Sequence, residues 1–289
     1  MKFVTYNYNG TEYVGVLTND ETYVIPASEF GLKAGSMLEL IKELDGSYPA
    51  IPTQAKSIAL SAVKLEAPIP EPRQDVICLG LNYRDHVEEA TLADAVFDVQ
   101  RGDAVYFSKR LQRAVAPGDK IDGHFDICDS LDYEVELGVV IGRDAKNVKA
   151  ADAGKYIFGY TIVNDVSARN LQTRHKQWYF GKSLDDFTPM GPCILSADEV
   201  GAMPELDIRC YVNGEKRQDS NTRMMIFDIP YIIEELSAGM TLKAGTVIAT
   251  GTPSGVALGM PPEVQKYLES GDVVRCEIDG IGVLENTIA

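Results

Sequence analysis

Short runs of alternating apolar and polar residues dominate the chain and predict a β-rich protein. Two such runs lie near the N-terminus, at residues 12–17 and 22–25. The later ones are β-branched segments bounded by turn residues, at 76–80, 135–141, 156–163, 206–212, 246–250 and 273–278. Asn213-Gly214 directly follows one of them and predicts a hairpin turn.

Helical periodicity is confined to a few segments. Residues 36–44 place apolar side chains at i, i+3, i+4 and i+7, and helices are also predicted at 83–95, 167–177 and 229–237. Because these helices do not alternate regularly with the strands, the pattern argues against a TIM barrel or a doubly wound parallel sheet. The predicted fold class is therefore a β-rich α+β fold.

A proline-rich segment, residues 67–73, marks the predicted domain boundary. Its three prolines separate a small N-terminal α+β domain, residues 1–70, from a larger catalytic domain, residues 71–289. An ordered extended crossing within a single domain explains the same prolines equally well.

Charge and composition exclude several classes of protein. The 289 residues include 27 Lys and Arg against 43 Asp and Glu, a net charge of −16, which disfavours binding to nucleic acid or to an anionic membrane. The longest uncharged run, residues 244–262, is broken by glycines and prolines and cannot form a lipid-exposed helix. With no apolar leader at the N-terminus and five cysteines lacking a CxxC pair, the predicted location is the cytoplasm.

Three carboxylates alternate along residues 132–141. On a strand, Asp132, Glu134 and Glu136 point to one face, where they repel one another unless a cation lies between them. One interpretation is the solvated face of an edge strand. The other is a site for a hard cation, because all-oxygen ligation favours Mg²⁺, Mn²⁺ or Ca²⁺. Asp165, at the end of the next predicted strand, is either a third ligand or, like Ser167, a helix N-cap.

Three further groups carry candidate chemistry. His86 and Glu89 are spaced i, i+3 on a predicted helix, where a carboxylate can orient an imidazole that activates water. Lys182 follows a glycine and can reach an anionic substrate, and the small-residue turn at 250–255 can offer backbone N–H groups to an anion. Each of these groups, taken alone, is more often structural.

Their combination and order resemble the fumarylacetoacetate hydrolase family from about residue 75 to 288. The motifs are 80–86 (GLNYRDH), 132–137 (DYEVEL), 139–142 (VVIG), 159–161 (GYT), 164–169 (NDVSAR), 181–183 (GKS), 189–192 (PMGP) and 248–256 (IATGTPSGV). One departure is the acidic, proline-free stretch 90–104, where relatives commonly have a proline. This departure bears on the length of the lid and on the shape of the substrate that the resemblance implies.

The resemblance implies a mixed β-roll catalytic domain, usually dimeric, that binds Mg²⁺, Mn²⁺ or Ca²⁺. It also implies roles for nine residues: Glu134, Glu136 and Asp165 as metal ligands, Lys182 as the active-site lysine, His86 with Glu89 as a water-activating pair on a lid, and Arg84, Gln172 and Thr252 as contacts to substrate or metal-bound water.

These roles favour cleavage of a C–C bond in a small anionic 2-oxo or 2,4-dioxo acid, as in an acylpyruvate hydrolase. An oxaloacetate decarboxylase and a 2-oxo-acid isomerase or tautomerase are alternatives on the same site, since each passes through an enolate. A catalytically silent metal-binding module is a further alternative. Because the protein is strongly acidic, capture of an anionic substrate depends on local positive charge from the cation, Lys182 and Arg84.

Overall fold

The computed structural model describes residues 1–87, 102–261 and 263–289. Its strands are β1 (Lys2–Tyr8), β2 (Thr11–Leu17), β3 (Tyr23–Pro26), β4 (Ile58–Ala59), β5 (Lys64–Leu65), β6 (Val76–Gly80), β7 (Val105–Lys109), β8 (Lys120–Ile121), β9 (Leu131–Asp132), β10 (Val135–Ile141), β11 (Ile157–Asn164), β12 (Ser167–Ala168), β13 (Met190–Ser196), β14 (Asp207–Val212), β15 (Glu215–Asn221), β16 (Val247–Ala249), β17 (Val273–Ile278) and β18 (Gly282–Ile288).

Helices are few and short, as expected for a β-rich α+β fold. Within the described ranges the α-helices are α1 (Met37–Leu44), α2 (Arg169–Arg174), α3 (Tyr179–Lys182), α4 (Ala197–Val200) and α5 (Ile229–Gly239), and residues 84–87 are also helical. Ser36 caps α1 through its side chain, and Asp228 does the same for α5. None of the helices in this part of the chain is both long and apolar enough to cross a membrane.

One large sheet organises the molecule. Its 11 strands include the path β4-β3-β2-β1-β13-β11-β10-β16-β6-β7, with β5 paired to β1. The N-terminal strands thus continue the sheet of the later chain through the antiparallel pair β1–β13. Five strands form a second sheet in the order β15-β14-β17-β18-β8, with Asn213 and Gly214 in the predicted turn between β14 and β15. The domain boundary near residue 70 stays a prediction.

Strand β10 lies deep inside the large sheet, between β11 and β16. All seven of its residues are buried. Val135, Leu137 and Val139 pack into one hydrophobic core, whereas Val140 packs into another. The period-two alternation is therefore present, but both faces are covered, and the interpretation of a solvated edge strand is wrong.

Two predicted helices differ from the structure. Residues 167–177 do not form one helix, because Ser167 and Ala168 pair with β9 and α2 begins only at Arg169. The side chain of neither Asp165 nor Ser167 caps α2, so the N-cap interpretation is also wrong. The predicted helix 83–95 starts as residues 84–87, and its continuation falls largely outside the described residues.

Candidate metal and substrate site

Three carboxylates meet where β10 and β11 pair. Each of Glu134, Glu136 and Asp165 offers an oxygen within 4.8 Å of the others, and all three residues are buried. Antiparallel pairing brings them together: Asp165 follows β11, and its N–H donates a 2.9 Å hydrogen bond to the carbonyl oxygen of Glu134, just before β10. The predicted triad is therefore one compact cluster.

Two buried lysines hold Asp165. Lys182 Nζ lies 2.7 Å from Asp165 Oδ2 and 2.8 Å from Glu134 Oε2, so it bridges two members of the triad. Lys109 Nζ lies 2.7 Å from Asp165 Oδ1 and donates to the carbonyl oxygen of Val166 at 2.8 Å. The two ammonium groups balance charge that buried carboxylates cannot carry alone.

A buried arginine links the triad to a fourth carboxylate. Arg169 Nη1 lies 2.7 Å from Glu134 Oε1, while Nε donates to Asp132 Oδ2 at 2.9 Å. Nη1 also donates to Gln172 Oε1 at 3.0 Å. Asp132 additionally accepts backbone N–H groups from Ala257 and Leu258, which fixes its own position. Asp132 thus orients the guanidinium that reaches Glu134.

Burial and charge move the triad's pKa values in opposite directions. Burial alone would raise the pKa of Glu134, but Lys182 and Arg169 lower it to about 2. Burial, then repulsion from Asp165 and Glu134, raises the pKa of Glu136 well above its usual range. For Lys182, burial opposes the charged form, yet Asp165 and Glu134 raise its pKa. Among the described residues, Glu136 is thus the member of the triad that forms no ion pair.

The oxygens of Glu136 show that a divalent cation fits this cluster. Oε2 accepts the backbone N–H of Gly251 at 2.8 Å, whereas Oε1 is buried with no hydrogen-bond partner among the described residues. A buried carboxylate oxygen without a partner is costly, and a hard cation between three carboxylates removes that cost. Mg²⁺, Mn²⁺ and Ca²⁺ all accept such oxygen ligands.

Gly251 can support Glu136 only because it is a glycine. Its φ is +95°, and a Cβ there would lie 2.8 Å from the Cβ of Asn82. The predicted anion-binding turn is therefore occupied by the protein's own carboxylate. Thr252, the next residue, donates to the carbonyl oxygen of Val135 at 2.9 Å and accepts from Gln218 at 2.8 Å.

A small cavity of about 30 Å³ opens beside the triad. Five of the nine predicted site residues line it, together with Arg169; they are His86, Glu134, Gln172, Lys182 and Thr252. Nη2 of Arg169 is buried there without a hydrogen-bond partner in the described part of the chain. This free N–H group makes Arg169 a candidate for binding a substrate carboxylate.

One further predicted site residue lies away from the cavity, and one is not described. Arg84 is exposed and does not line the cavity. Glu89 falls outside the described residues. Conversely, sequence reasoning missed Lys109 and Arg169 as parts of the site, and Asp132, grouped there with the possible cation ligands, instead accepts from Arg169. Arg169 ends a motif that carried the family resemblance, so its position beside Asp165 was the available signal.

Comparison with known proteins agrees with this geometry. Residues 75–289 match the family model for the fumarylacetoacetate (FAA) hydrolase C-terminal domain. Oxaloacetate tautomerase YisK of Bacillus subtilis is 41% identical over 306 aligned residues, covering 100% of both chains.

Two solved structures share the fold over nearly their whole length. The fumarylacetoacetate hydrolase of Exiguobacterium antarcticum has a TM-score of 0.86 at 37% identity, covering 100% of this chain and 99% of the other. The maleylpyruvate hydrolase of Sphingobium sp. SYK-6, solved with manganese(II) and pyruvate, has a TM-score of 0.77 at 28% identity with the same coverage. The chain therefore belongs to the fumarylacetoacetate hydrolase family.

Proposed function

We propose that the protein interconverts the keto and enol forms of a small anionic 2-oxo acid, with oxaloacetate as the leading candidate. The observation that carries this proposal is the buried triad beside a cavity that His86, Arg169 and Lys182 also line. The full-length relative named as an oxaloacetate tautomerase supports it. Sequence reasoning had placed hydrolysis first.

Glu134, Glu136 and Asp165 would hold the divalent cation, Mg²⁺ or Mn²⁺ in the first instance and Ca²⁺ as a further possibility. When bound, the cation supplies positive charge that polarises the substrate's keto group and acidifies the adjacent carbon. With the cation bound, the negative charge of these three carboxylates would be balanced without a proton on Glu136.

Arg169 and Lys182 would bind and stabilise the anionic substrate. Nη2 of Arg169, which has no hydrogen-bond partner among the described residues, can donate to the substrate carboxylate, and Gln172 is held beside it. Lys182, kept charged by its two carboxylate neighbours, offsets the negative charge that develops on the keto oxygen. We propose that Thr252 is a further contact to the substrate. The exposed Arg84 would attract anions from solution.

His86 would move the proton. Imidazole is the side chain that both accepts and donates a proton near neutral pH, and His86 lines the cavity together with Glu134. It would take a proton from the carbon next to the keto group and return it to the oxygen. Glu89, outside the described residues, is proposed to orient the imidazole.

Hydrolysis of an acylpyruvate is the second candidate. His86 in the cavity favours it, because the same imidazole can deprotonate a water, and the Sphingobium relative is named as a maleylpyruvate hydrolase. Decarboxylation of oxaloacetate would use the same residues without a water. The three reactions therefore differ in the fate of the enolate.

We also propose that the chain works as a cytoplasmic homodimer with no nucleic-acid or membrane partner. The net charge of −16 supports the absence of those partners. Exposed aromatic side chains near α3, Tyr179 and Phe180, support self-association. Light scattering on the protein as it elutes from a size-exclusion column would give its mass in solution. The mass of a single chain would contradict the proposed dimer.

One experiment separates the candidate reactions. The protein is stripped with EDTA and reloaded with Mn²⁺ or Mg²⁺, and enol-oxaloacetate decay is followed by ultraviolet absorbance while a coupled assay detects pyruvate. Tautomerisation predicts loss of the enol without pyruvate. Pyruvate from oxaloacetate indicates decarboxylation, and pyruvate from acetylpyruvate indicates hydrolysis. Activity that survives complete chelation would contradict all three.

A further inference from the structure

The cavity beside the triad has two chemically different sides. The polar side carries Glu134 of the triad with Arg169 and Lys182, the cationic groups proposed to bind a 2-oxo acid. The other side is formed by Leu79, Gly80, Leu81, Phe107 and Trp178. A 2-oxo acid whose polar head faces the cations must direct its tail toward this apolar wall.

Trp178 lies directly on the backbone of Gly80. A Cβ built at Gly80 would lie 2.3 Å from Cζ3 and 2.6 Å from Cη2 of the indole, far closer than atoms can approach. Only glycine allows the ring to sit this deep in the wall. Trp178 both lines the cavity and is partly exposed.

Three contacts fix the position of Trp178 relative to Lys182. The ring meets Phe107 edge to face, with centroids 5.2 Å apart and planes at 70°. Lys182 Nζ lies 5.2 Å from the centroid of the same Phe107 ring. In addition, the backbone N–H of Lys182 donates to the carbonyl oxygen of Trp178 at 3.1 Å. Trp178 and Lys182 are thus two ends of one helical turn packed against Phe107.

We propose that Trp178 determines the length of substrate that this site accepts. The indole fills the volume that a longer tail would need, so short 2-oxo acids bind and acids with extended acyl chains are rejected. This inference rests on the proposed function, because it assumes that a 2-oxo acid binds beside the triad. It assigns specificity to a residue that takes no part in holding the cation or moving the proton.

Binding measurements test the inference without relying on turnover. Pyruvate and 2-oxohexanoate are titrated into the Mn²⁺-loaded protein by calorimetry, for the wild type and for Trp178→Ala. We expect the preference for pyruvate to fall at least about tenfold in the variant, because a few methylene groups gain an apolar space. The matched control is Tyr23→Ala, an exposed aromatic in β3 that does not line the cavity, which leaves the preference unchanged.

A second variant checks the contact itself. Gly80→Ala should displace the indole and change the chain-length preference in the wild type, but have little further effect when Trp178 is already alanine. An unchanged preference in Trp178→Ala, with Mn²⁺ and pyruvate still bound, would overturn the inference alone. A wild type that binds Mn²⁺ but neither acid would overturn the proposed function, and the inference with it.

Discussion

The backbone N–H of Gly251 donates to one carboxylate oxygen of Glu136 at 2.8 Å, and the other oxygen is buried without a hydrogen-bond partner among the described residues. Glu134 and Asp165 each have lysine or arginine on both oxygens, whereas Glu136 has no cation within ion-pairing distance in the described structure. Among the described residues, Oε1 of Glu136 is therefore the triad oxygen that neither a hydrogen bond nor an ion pair balances.

Glu136→Gln should stabilise the metal-free protein while removing its response to metal. A neutral amide avoids the burial of charge and the repulsion that together raise the pKa of Glu136, and we expect a gain of about 1–3 kcal/mol in the free energy of unfolding. Mn²⁺ affinity should fall at least about 100-fold. Thermal melts with and without Mn²⁺ measure both effects, and a less stable metal-free variant would contradict the assignment.

Glu134→Gln is the contrasting case. Glu134 pairs with both Lys182 and Arg169, so neutralising it leaves two buried cations short of a partner. We expect a loss of about 3–5 kcal/mol in the metal-free protein. Denaturant unfolding of the two variants side by side should give opposite signs. Equal changes in the free energy of unfolding would show that the ion pairs of Glu134 do not distinguish it from Glu136.

Lys182→Met should separate catalysis from metal binding. Losing the ammonium group removes the charge that stabilises the substrate oxyanion, and kcat/KM should fall roughly 100- to 1000-fold. Mn²⁺ should bind at least as tightly, because a competing cation leaves Glu134 and Asp165. Calorimetric titration with Mn²⁺ checks this, and a much weaker affinity would make Lys182 part of the scaffold that forms the metal site.

Lys109→Met should destabilise the fold. Lys109 is fully buried and lies against Asp165 and the carbonyl oxygen of Val166, so its loss strands two buried acceptors at a cost of about 3–5 kcal/mol. Lys120→Met, at an exposed position in β8, is the matched control and should change stability little. Similar unfolding midpoints for the two variants would show that Lys109 is dispensable.

Metal affinity should increase with pH through the raised pKa of Glu136. Below that pKa a proton occupies the carboxylate and must leave before a cation binds. In the metal-free protein the same group favours folding below its unfolded pKa, and that contribution is lost as pH rises through the folded value. Titrations with Mn²⁺ in buffers of different ionisation enthalpy should detect released protons. Binding without proton release would contradict a protonated Glu136.

Local patterns offered the triad as one of two interpretations, and the family resemblance favoured it; neither predicted its surroundings. The alternation at Glu134 and Glu136 placed both carboxylates on one face, and Asp165 was placed at the next strand end. Whether that face met solvent depended on β11, β16 and two cores assembled from distant parts of the chain. A single segment does not contain that information.

The buried cations were harder to find for the same physical reason. Lys109 and Arg169 look like ordinary surface residues in sequence, because only the tertiary fold brings a carboxylate to within 2.7 Å of each. Arg84 shows the opposite error: it lies in a specific motif, yet its side chain is exposed. Motif membership identified the family better than it identified which arginine faces the cavity.

Anomalous diffraction from crystals soaked in Mn²⁺ is the most direct test of the proposed metal site. A single strong peak is predicted among the oxygens of Glu134, Glu136 and Asp165, within bonding distance of the Glu136 oxygen that lacks a hydrogen-bond partner. Soaks that give ordered carboxylates in their present positions but no peak between them would contradict a divalent cation at this site.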